Sequence, residues 1–583
     1  MEHVDGHGRV PTGGSNQGVI TPERILFAGM FLSAGLVLWF GRNLSFSGDE
    51  LSLISLVAGL EPRELIEPYV GHLVPVSLVA YRAVLELFGA GEYAPFQVLT
   101  LLSIFLLSWI LFSWGKRRVP PWVALAPALL MLIFPQDLLH YLAGNGFVIV
   151  FALACGLGAL YAFEQDSRKW DLAAFGLILA GLLTYTVAAA FAIGVLVAAV
   201  VERSWSRLWI AGLPLIGYAI WRLTLAAAST EVEDTPPDFD NLLLLPAWIF
   251  QSIGGALAAL IGTGFDFLGL APRDPATAAR FLGPSLAIVF LAALGALVAT
   301  GRARRSLIVV VAIAVALYAS QTVVWASFAD RPGPGETRYL YPTTLVVLMI
   351  GLEMARGVSW DRRGTVLLLG ITAVSLVGAI GYLAIDGNRD GRTSRLKAEV
   401  LAVTLLESTG NPPPIGQQPR DALRKSFDPV DGAKFGYPGF TEQEILTGEQ
   451  QWAPLVDQFL AGAERLGLRP VEDAVPVACQ PVPDTPGRQT NRAFLPPRGA
   501  ILSTSQPLEL RLGRYGEEAS WELGPLGPDR PTLLRLEPDD GARPWYVSAG
   551  PGSVGELAGL VVCRYEPAGS APLSSLAPDR QAP

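Results

Sequence analysis

The chain has few charged residues, which make up 16% of its 583 residues against roughly 25% in an ordinary soluble protein. It also has only 3 cysteines and 4 histidines. The low charge and a mean hydropathy of +0.40 exclude an ordinary soluble enzyme. A nucleic-acid-binding protein is disfavoured too. The 43 basic residues are outnumbered by 52 acidic ones, whereas such proteins neutralise phosphates with Lys and Arg.

Long apolar runs fill the first two thirds of the chain. Eleven of them are nearly free of charge and predict transmembrane helices, although several fall below the roughly 20 residues of a straight span. Two further apolar stretches are ambiguous, because 72–89 carries Arg82 and Glu86, and 243–269 is interrupted by Pro246 and several glycines. The eleven runs are 25–41, 93–114, 121–135, 146–164, 171–184, 187–201, 207–226, 281–300, 306–327, 339–355 and 364–384.

Basic residues collect in five short loops between these runs, and the positive-inside rule predicts that all five face the cytoplasm. They share one side only if neither ambiguous stretch crosses the membrane. We therefore interpret 72–89 as an interfacial helix and 243–269 as a re-entrant or surface-lying hairpin. The five clusters are Lys116, Arg117 and Arg118; Arg168 and Lys169; Arg203 and Arg207; Arg302, Arg304 and Arg305; and Arg356, Arg362 and Arg363.

The predicted fold class is an all-α polytopic protein of the cytoplasmic membrane with about eleven transmembrane helices. Residues 1–24 form a cytoplasmic tail, and because they lack a signal-peptide pattern the first span is expected to be an uncleaved anchor. Residues 25–386 form the multispanning domain. This topology places residues 387–583 outside the membrane.

The extracytoplasmic segment 387–583 predicts a mixed α/β domain. Residues 395–408 and 453–466 have helix-like spacing, and from about 499 short strand-like segments predict a small β-sandwich, followed by a disordered tail from about 567. Cys479 and Cys563 both fall in this part. A pair in an oxidising compartment favours a disulfide, with two reduced thiols as the alternative.

Ionisable residues are almost absent from the spans, which argues against an ion-coupled transporter. The distinctive polar groups collect instead in four segments on the predicted outer side. Such a cluster predicts a site at the outer surface of the membrane. The segments are Ser47-Gly48-Asp49-Glu50, Gly71-His72, Pro135 to His140, and Gly335 to Pro342, which includes Glu336.

Two short motifs, drawn from three of these segments, carry a family resemblance over residues 25–386. After the first span, Asp49-Glu50 is followed by a Gly71-His72-x-x-Pro75 helix that ends in Phe88-Gly89, and then by Tyr93-Ala94-Pro95-Phe96. This order resembles the first external loop of GT-C glycosyltransferases, multispanning enzymes that include protein O-mannosyltransferases and aminoarabinose transferases. Arg338-Tyr339-Leu340-Tyr341-Pro342 is similar to the Arg-Tyr element before a late span in several bacterial members.

The resemblance implies an enzyme that moves a sugar from a polyprenyl-phosphate carrier to a glycan, lipid or protein acceptor of the cell envelope. Asp49 is then expected to be the general base, with Glu50 positioning the acceptor or supporting a metal. Arg338 would hold the donor phosphate, with Tyr339 beside it. His72 and Glu336 are expected to line the substrate site.

The second external loop departs from the oligosaccharyltransferase branch, since it offers Asp137 and His140 where that branch has paired acids. The two residues lie one helical turn apart, so they could bind substrate or chelate a divalent cation such as Mg²⁺ or Mn²⁺. They could equally be solvated residues at the interface.

Structural interpretations of the other candidates stay open as well. Asp49 could cap a helix, and His72 could be a satisfied polar contact. Arg338 and Tyr339 could be a snorkelling cation and a residue of the aromatic belt. Two alternatives concern the whole protein: a non-catalytic membrane scaffold that presents the β-domain, or a lipid or polysaccharide exporter, which would need a polar path through the spans.

Overall fold

The computed structural model describes the greater part of the apolar two thirds and the strands of the C-terminal region. Its described residues are 21–44, 46, 50, 53–54, 56–57, 59–69, 71–90, 93–134, 146–226, 238–267, 275–325, 337–386, 468–471, 474–482, 492–497, 499–513, 521–528, 530–536, 544–549, 557 and 559–567. The predicted helices at 395–408 and 453–466, and the predicted disordered tail, lie outside these residues.

The first part of the chain is helical, and each of the eleven apolar runs coincides with a helix. Among the described residues the helices are α1 (Pro22–Phe40), α2 (Pro75–Phe88), α3 (Ala94–Gly115), α4 (Pro121–Leu132), α5 (Gly146–Phe163), α6 (Arg168–Leu182), α7 (Ala188–Val201), α8 (Trp209–Trp221), α9 (Leu245–Phe267), α10 (Pro275–Ala299), α11 (Arg305–Trp325), α12 (Thr337–Ala355) and α13 (Arg362–Asp386).

Seven helices in the described part of the chain are long and apolar enough to cross a membrane. This confirms the prediction of a mostly helical chain compatible with a multi-pass membrane protein. Four shorter apolar helices accompany them. The seven are Pro22–Phe40, Ala94–Gly115, Gly146–Phe163, Phe239–Ile261, Phe281–Ala299, Arg305–Val324 and Arg362–Ala384.

The five basic loops lie at one end of the helical body, which we call the basic end. Arg118, in the loop after α3, forms ion pairs with Glu164 after α5 and with Glu353 near the end of α12. The Ser306 hydroxyl, in the first turn of α11, donates to the same Glu353 carboxylate at 2.7 Å. Arg356 Nη1 in turn donates to Ser306 Oγ at 3.1 Å.

Two further ion pairs extend this end of the body. Arg207, before α8, pairs with Asp171 at the start of α6. Lys116 Nζ lies 2.9 Å from Glu23 Oε1, so α1 also begins here. The prediction that the five basic clusters share one side is therefore confirmed for the helical body. Because α1 rises about 28 Å over its length, its last residue, Phe40, lies at the opposite end.

Helix α2 has the amphipathic pattern expected of an interfacial helix. Its 14 residues begin at Pro75, where proline costs no hydrogen bond, and end before Gly89, which has a positive φ of 74°. One face is buried through Leu78, Tyr81 and Leu85, at helical spacing. At 14 residues α2 is too short for a straight span, as α4 and α7 are, but unlike them it carries charged residues, Arg82 and Glu86.

The hairpin predicted for 243–269 is wrong, because α9 is a single continuous helix. Pro246 lies in its first turn, where an N–H has no helical partner in any case. Gly254 allows α9 to pack closely against α10, because a Cβ at this position would lie only 2.7 Å from the carbonyl oxygen of Gly283 in α10. Residues that resemble helix breakers in the sequence thus bring two helix backbones into contact.

Contacts along α9 show that it does not run straight from one end of the body to the other. Near its start, Trp248 Nε1 donates to Gln321 Oε1 at 3.2 Å, close to the end of α11 and far from the basic end. Further along, Leu260 accepts a hydrogen bond from Ser375, which lies halfway along α13. The helix is therefore tilted through the middle of the body.

The C-terminal strands form two antiparallel sheets, in the orders β1-β7-β4-β9-β2 and β3-β8-β5-β6. Strands β2 to β9 have the order of a jelly roll. The sheets share one core, in which Ala493, Leu510 and Val547 of one pack with Leu502 and Leu534 of the other. The strands are β1 (Arg469–Pro470), β2 (Ala474–Pro481), β3 (Arg492–Phe494), β4 (Gly499–Thr504), β5 (Leu508–Gly513), β6 (Trp521–Leu526), β7 (Thr532–Arg535), β8 (Tyr546–Ala549) and β9 (Leu560–Pro567).

The strands begin earlier than residue 499, where the sequence predicts the β-rich region. Strand β2 contains Pro476 and Pro481, which resemble loop residues in the sequence. It lies at the edge of its sheet, so that a proline, which has no N–H, can point its nitrogen away from the neighbouring strand.

Cys479 of β2 and Cys563 of β9 are directly opposite each other and are joined by a disulfide. This is the pairing expected from the sequence. Cys155, the third cysteine, is buried in α5 as a free thiol.

We expect Cys479→Ala to lower the stability of the β-sandwich by roughly 4 kcal/mol, because the bond closes a loop of 84 positions in the unfolded chain. Thermal unfolding with and without reductant measures the effect. Cys155→Ala is the matched control, since it removes a cysteine but no disulfide. Detection of both thiols as free in the exported protein by mass spectrometry would contradict the prediction.

Candidate functional site

The structure describes some of the candidate residues and not others. Glu50, His72 and Tyr339 are described, and each lies at the end of the helical body opposite the basic end. Arg338 lies in the first turn of α12, where the structure describes its backbone and not its side chain. Asp49, Asp137, His140 and Glu336 lie outside the described residues.

Glu50 lies in a buried cluster between the ends of three helices. It is only 2% exposed. Its carboxylate accepts hydrogen bonds from the hydroxyl of Tyr81 in α2 (3.1 Å to Oε1) and of Tyr93 just before α3 (2.8 Å to Oε1 and 3.1 Å to Oε2). The rings of Phe46 and Phe96 pack edge-on at 4.9 Å and complete the apolar surroundings.

This arrangement ties the segment after α1 to both α2 and α3. A carboxylate that accepts hydroxyl hydrogen bonds in an apolar setting is held firmly, since breaking them would leave a buried charge unsatisfied. It is also closed to any bulky acceptor. The chemistry open to Glu50 in this position is therefore to fix the loop that contains it.

His72 belongs to a second group, formed with the connection between α6 and α7. Its Nδ1 lies 2.7 Å from Thr186 Oγ1, which lies 2.9 Å from the hydroxyl of Tyr218 in α8. The Tyr185 ring packs at 4.3 Å from the imidazole. Burial, together with the nearby Arg222 guanidinium, lowers the pKa of His72 to about 4. The imidazole is thus neutral near pH 7 and acts through hydrogen bonds, without a positive charge.

Arg222 and Trp221 hold the loop that carries His72. Arg222 Nη1 donates to the Gly71 carbonyl at 3.1 Å, and Trp221 Nε1 donates to the Ile66 carbonyl at 2.7 Å. Arg222 also begins a π-helical turn, Arg222–Ala226, a deviation found frequently at functional sites. In the sequence, Arg222 stands out only as a cation near the end of an apolar run.

Tyr339 packs inside the helical body. It is buried, and its ring lies 6.5 Å from that of Trp248 in α9, at 67°. Two residues further, the Tyr341 hydroxyl donates to the Met131 carbonyl at 3.1 Å. The first turn of α12, which also contains Arg338, is therefore fixed against α4 and α9.

The three groups share one end of the body, and each is held by a different set of helices. Glu50 contacts α2 and α3, His72 contacts residues around α6 to α8, and Tyr339 contacts α9. Within the residues that the structure describes, no group of three or more His, Cys, Asp or Glu side chains is arranged to hold a metal ion.

Comparison of the chain with models of known protein families gives no match, and comparison with curated proteins gives none either. The function of this chain is therefore inferred from the residues themselves and from the positions that the fold gives them.

Proposed function

We propose that this chain is a GT-C-type glycosyltransferase. It transfers a sugar from a polyprenyl-phosphate carrier to a glycan, lipid or protein acceptor of the cell envelope, at the outer face of the cytoplasmic membrane. The observation that carries the proposal is the buried anchor at Glu50. Tyr81 of α2 and Tyr93 just before α3 hold Glu50 at the end of the body opposite the basic loops, and Asp49 is its neighbour in the sequence.

The chemistry of transfer explains why a fixed carboxylate segment would be needed there. The acceptor must lose a proton as it attacks the anomeric carbon, and the leaving phosphate gains negative charge. In our proposal Asp49 takes that proton. Glu50, enclosed by Tyr81 and Tyr93, is a positioning residue that fixes the backbone next to Asp49.

The other candidates have supporting roles. Arg338 holds the donor phosphate while the lipid tail stays in the bilayer, and the packing of Tyr339 against Trp248 supports a fixed position for that turn of α12. Neutral His72 offers a hydrogen bond to the sugar or the acceptor. Asp137, His140 and Glu336 line the same side in the proposed topology, where carboxylates could bind Mg²⁺ or Mn²⁺ if the enzyme uses one.

In the proposed topology eleven helices cross the membrane and the basic end faces the cytoplasm. The tilt of α9 supports the exclusion of this helix from the count, although its length and composition would allow a span. An odd number of spans then places residues 387–583, including the jelly roll, outside.

Labelling of single cysteines tests this topology in a Cys155→Ala background that keeps the disulfide. We expect Arg63→Cys and Ser505→Cys, both at exposed positions, to react with an impermeant maleimide in intact cells. Arg302→Cys, in the exposed link between α10 and α11, should react only after permeabilisation. Labelling of Arg302→Cys from outside would overturn the orientation.

The function is tested by transfer of radiolabelled sugar from polyprenyl-phosphate donors in membranes. We expect Arg338→Lys to lower transfer by about tenfold or more, because a lysine keeps the charge and loses the planar fork that binds two phosphate oxygens. The matched control is Arg42→Lys at the end of α1. Arg42 is exposed and lies over the Trp39 ring, 4.8 Å from its centroid. Equal activity of both variants would contradict the role of Arg338.

A further inference from the structure

The last two of the five basic loops lie side by side at the basic end. The loop between α10 and α11 contains Gly301, at φ 65°, and the loop between α12 and α13 contains Gly357, at φ 87°, so both helices end in tight turns. The Arg304 guanidinium reaches the second loop, since a Cβ at Gly357 would lie 3.7 Å from its Nη2. Arg356 connects the two loops again through its 3.1 Å hydrogen bond to Ser306. Together they form one surface, which we call the arginine surface.

The positive charge of the arginine surface is not neutralised within the ranges that the structure describes. Five arginine side chains of these loops and the adjoining helix ends are exposed, and none of them has an ion-pair or hydrogen-bond partner there. Two acidic residues lie close by in the chain, but Glu353 is already paired with Arg118 and Arg356. Asp361 caps α13 by accepting from the Gly364 N–H at 2.7 Å. The five arginines are Arg302, Arg304, Arg305, Arg362 and Arg363.

The loop between α5 and α6 shows the contrast. Its two cations, Arg168 and Lys169, are also exposed, but they lie between Asp166 and Asp171 in the chain. The charges of this segment therefore balance. Unpaired positive charge at the basic end is concentrated in the arginine surface.

Three of the five arginines occupy unfavourable positions on their helices. Arg305 is the first residue of α11, and Arg362 and Arg363 are the first two residues of α13. The N-terminal end of a helix carries a partial positive charge, so acidic side chains stabilise it and cations do not. A bound anion would relieve this repulsion. The local charges therefore favour an anionic ligand.

Apolar side chains face outward beside these arginines. Val298, in the last turn of α10, and Ile308, in the first turn of α11, are each more than half exposed. So are Val366 and Leu367, one turn into α13. Trp360 lies in the loop before α13, and tryptophan is enriched at the level of the lipid headgroups. When the helical body lies in a membrane, the arginines are thus at headgroup depth and the apolar residues reach the acyl chains.

We propose that the arginine surface binds an anionic phospholipid of the adjacent membrane leaflet. Arg304 and Arg362, one from each loop, hold the phosphodiester, because a guanidinium can donate two parallel hydrogen bonds to phosphate oxygens. The acyl chains lie along Val298, Ile308 and Leu367. A soluble acidic protein would match the charge and not the apolar side chains, and a free phosphate ester has no apolar part to place against them.

The proposal goes beyond the transfer reaction, because it requires only that the helical body lies in a membrane. The test is native mass spectrometry of the full-length protein, purified in detergent and titrated with phosphatidylglycerol. Phosphatidylcholine with the same acyl chains is the zwitterionic probe, and glycerol 3-phosphate is the soluble one. We expect phosphatidylglycerol to bind at least about tenfold more tightly than phosphatidylcholine, and an equal concentration of glycerol 3-phosphate not to displace it.

Two double variants connect that binding to the arginine surface. Arg304→Gln with Arg362→Gln should weaken phosphatidylglycerol binding by about 30-fold, because each arginine near an anionic lipid contributes about a factor of five. Arg168→Gln with Lys169→Gln is the matched control. It removes two positive charges from the same end of the body and should change the affinity by no more than about twofold. All four side chains are exposed, so both variants should fold, which thermal unfolding verifies.

Four results would overturn the proposal. Equal binding of the two phospholipids would remove the preference for an anionic headgroup, and displacement by glycerol 3-phosphate would make this a site for soluble phosphate esters. Equal losses in the two double variants would reduce the effect to general charge. An unchanged affinity in folded Arg304→Gln, Arg362→Gln would place the lipid elsewhere. Sugar transfer by Asp49→Asn is a separate measurement, so failure of one proposal is distinguishable from failure of the other.

Discussion

Asp49→Asn should reduce sugar transfer by about 10²-fold or more, the usual contribution of a positioned general base. Asparagine keeps the shape of the side chain and its ability to cap a helix, so folding should be nearly unaffected. What it loses is the basicity that removes the proton of the acceptor. The measurement is transfer of a radiolabelled sugar from polyprenyl-phosphate donors in membranes that contain equal amounts of each variant.

Glu50→Gln is the matched neighbour, because it removes a carboxylate one position away. A glutamine oxygen still accepts from Tyr81 or Tyr93, so the loop should remain in place and activity should fall less than for Asp49→Asn. Transfer by Asp49→Asn close to that of the unaltered protein would reject Asp49 as the base. A scaffold that only presents the β-domain would show the same tolerance.

Arg118→Met should destabilise the helical body by about 3–5 kcal/mol, the cost of removing one partner from a buried ion pair. The Arg118 side chain is 3% exposed and that of Glu353 is fully buried. Glu353 keeps the hydrogen bond from Ser306 and a longer contact with Arg356 Nη1, at 3.6 Å, and together these replace only part of the lost ion pair. Thermal unfolding in detergent micelles measures the loss.

Two comparisons separate this effect from a general loss of charge. Arg63→Gln breaks the Arg63–Glu67 pair, whose side chains are 84% and 53% exposed, and should cost no more than about 1 kcal/mol. The double variant Arg118→Met, Glu353→Leu should recover much of the loss, since it removes both charges. Equal melting temperatures for Arg118→Met and Arg63→Gln would contradict the prediction.

Much of the helical body could be predicted from the sequence, because long apolar runs have few alternatives in a membrane. The basic loops also predicted their common end, which Arg118, Arg207 and Ser306 now connect through hydrogen bonds and ion pairs. The prediction of a hairpin at 243–269 was wrong for a physical reason. The sequence does not reveal that Gly254 faces another glycine, Gly283, so a glycine that allows two helices to pack closely resembled a helix break.

The candidate site was predictable in its location more than in its contacts. In the sequence, an acidic pair marks the segment containing Glu50, and Tyr93 belongs to a motif. Their hydrogen bond joins positions 43 residues apart, and no periodicity in the sequence indicates it. Thr186 and Tyr218 approach His72 only because the connection after α6 and the end of α8 meet there.

The position of Arg118 also affects how the protein is made. Its two acidic partners are synthesised later, Glu164 after 46 residues and Glu353 only after 235. At about 5–20 residues per second, the ribosome provides the first within about ten seconds and the second after roughly 10–50 seconds. Of these two carboxylates, only Glu164 is therefore available to Arg118 until α12 has been synthesised. The ion-pair network at the basic end can be completed only once one of the last helices of the body has been made.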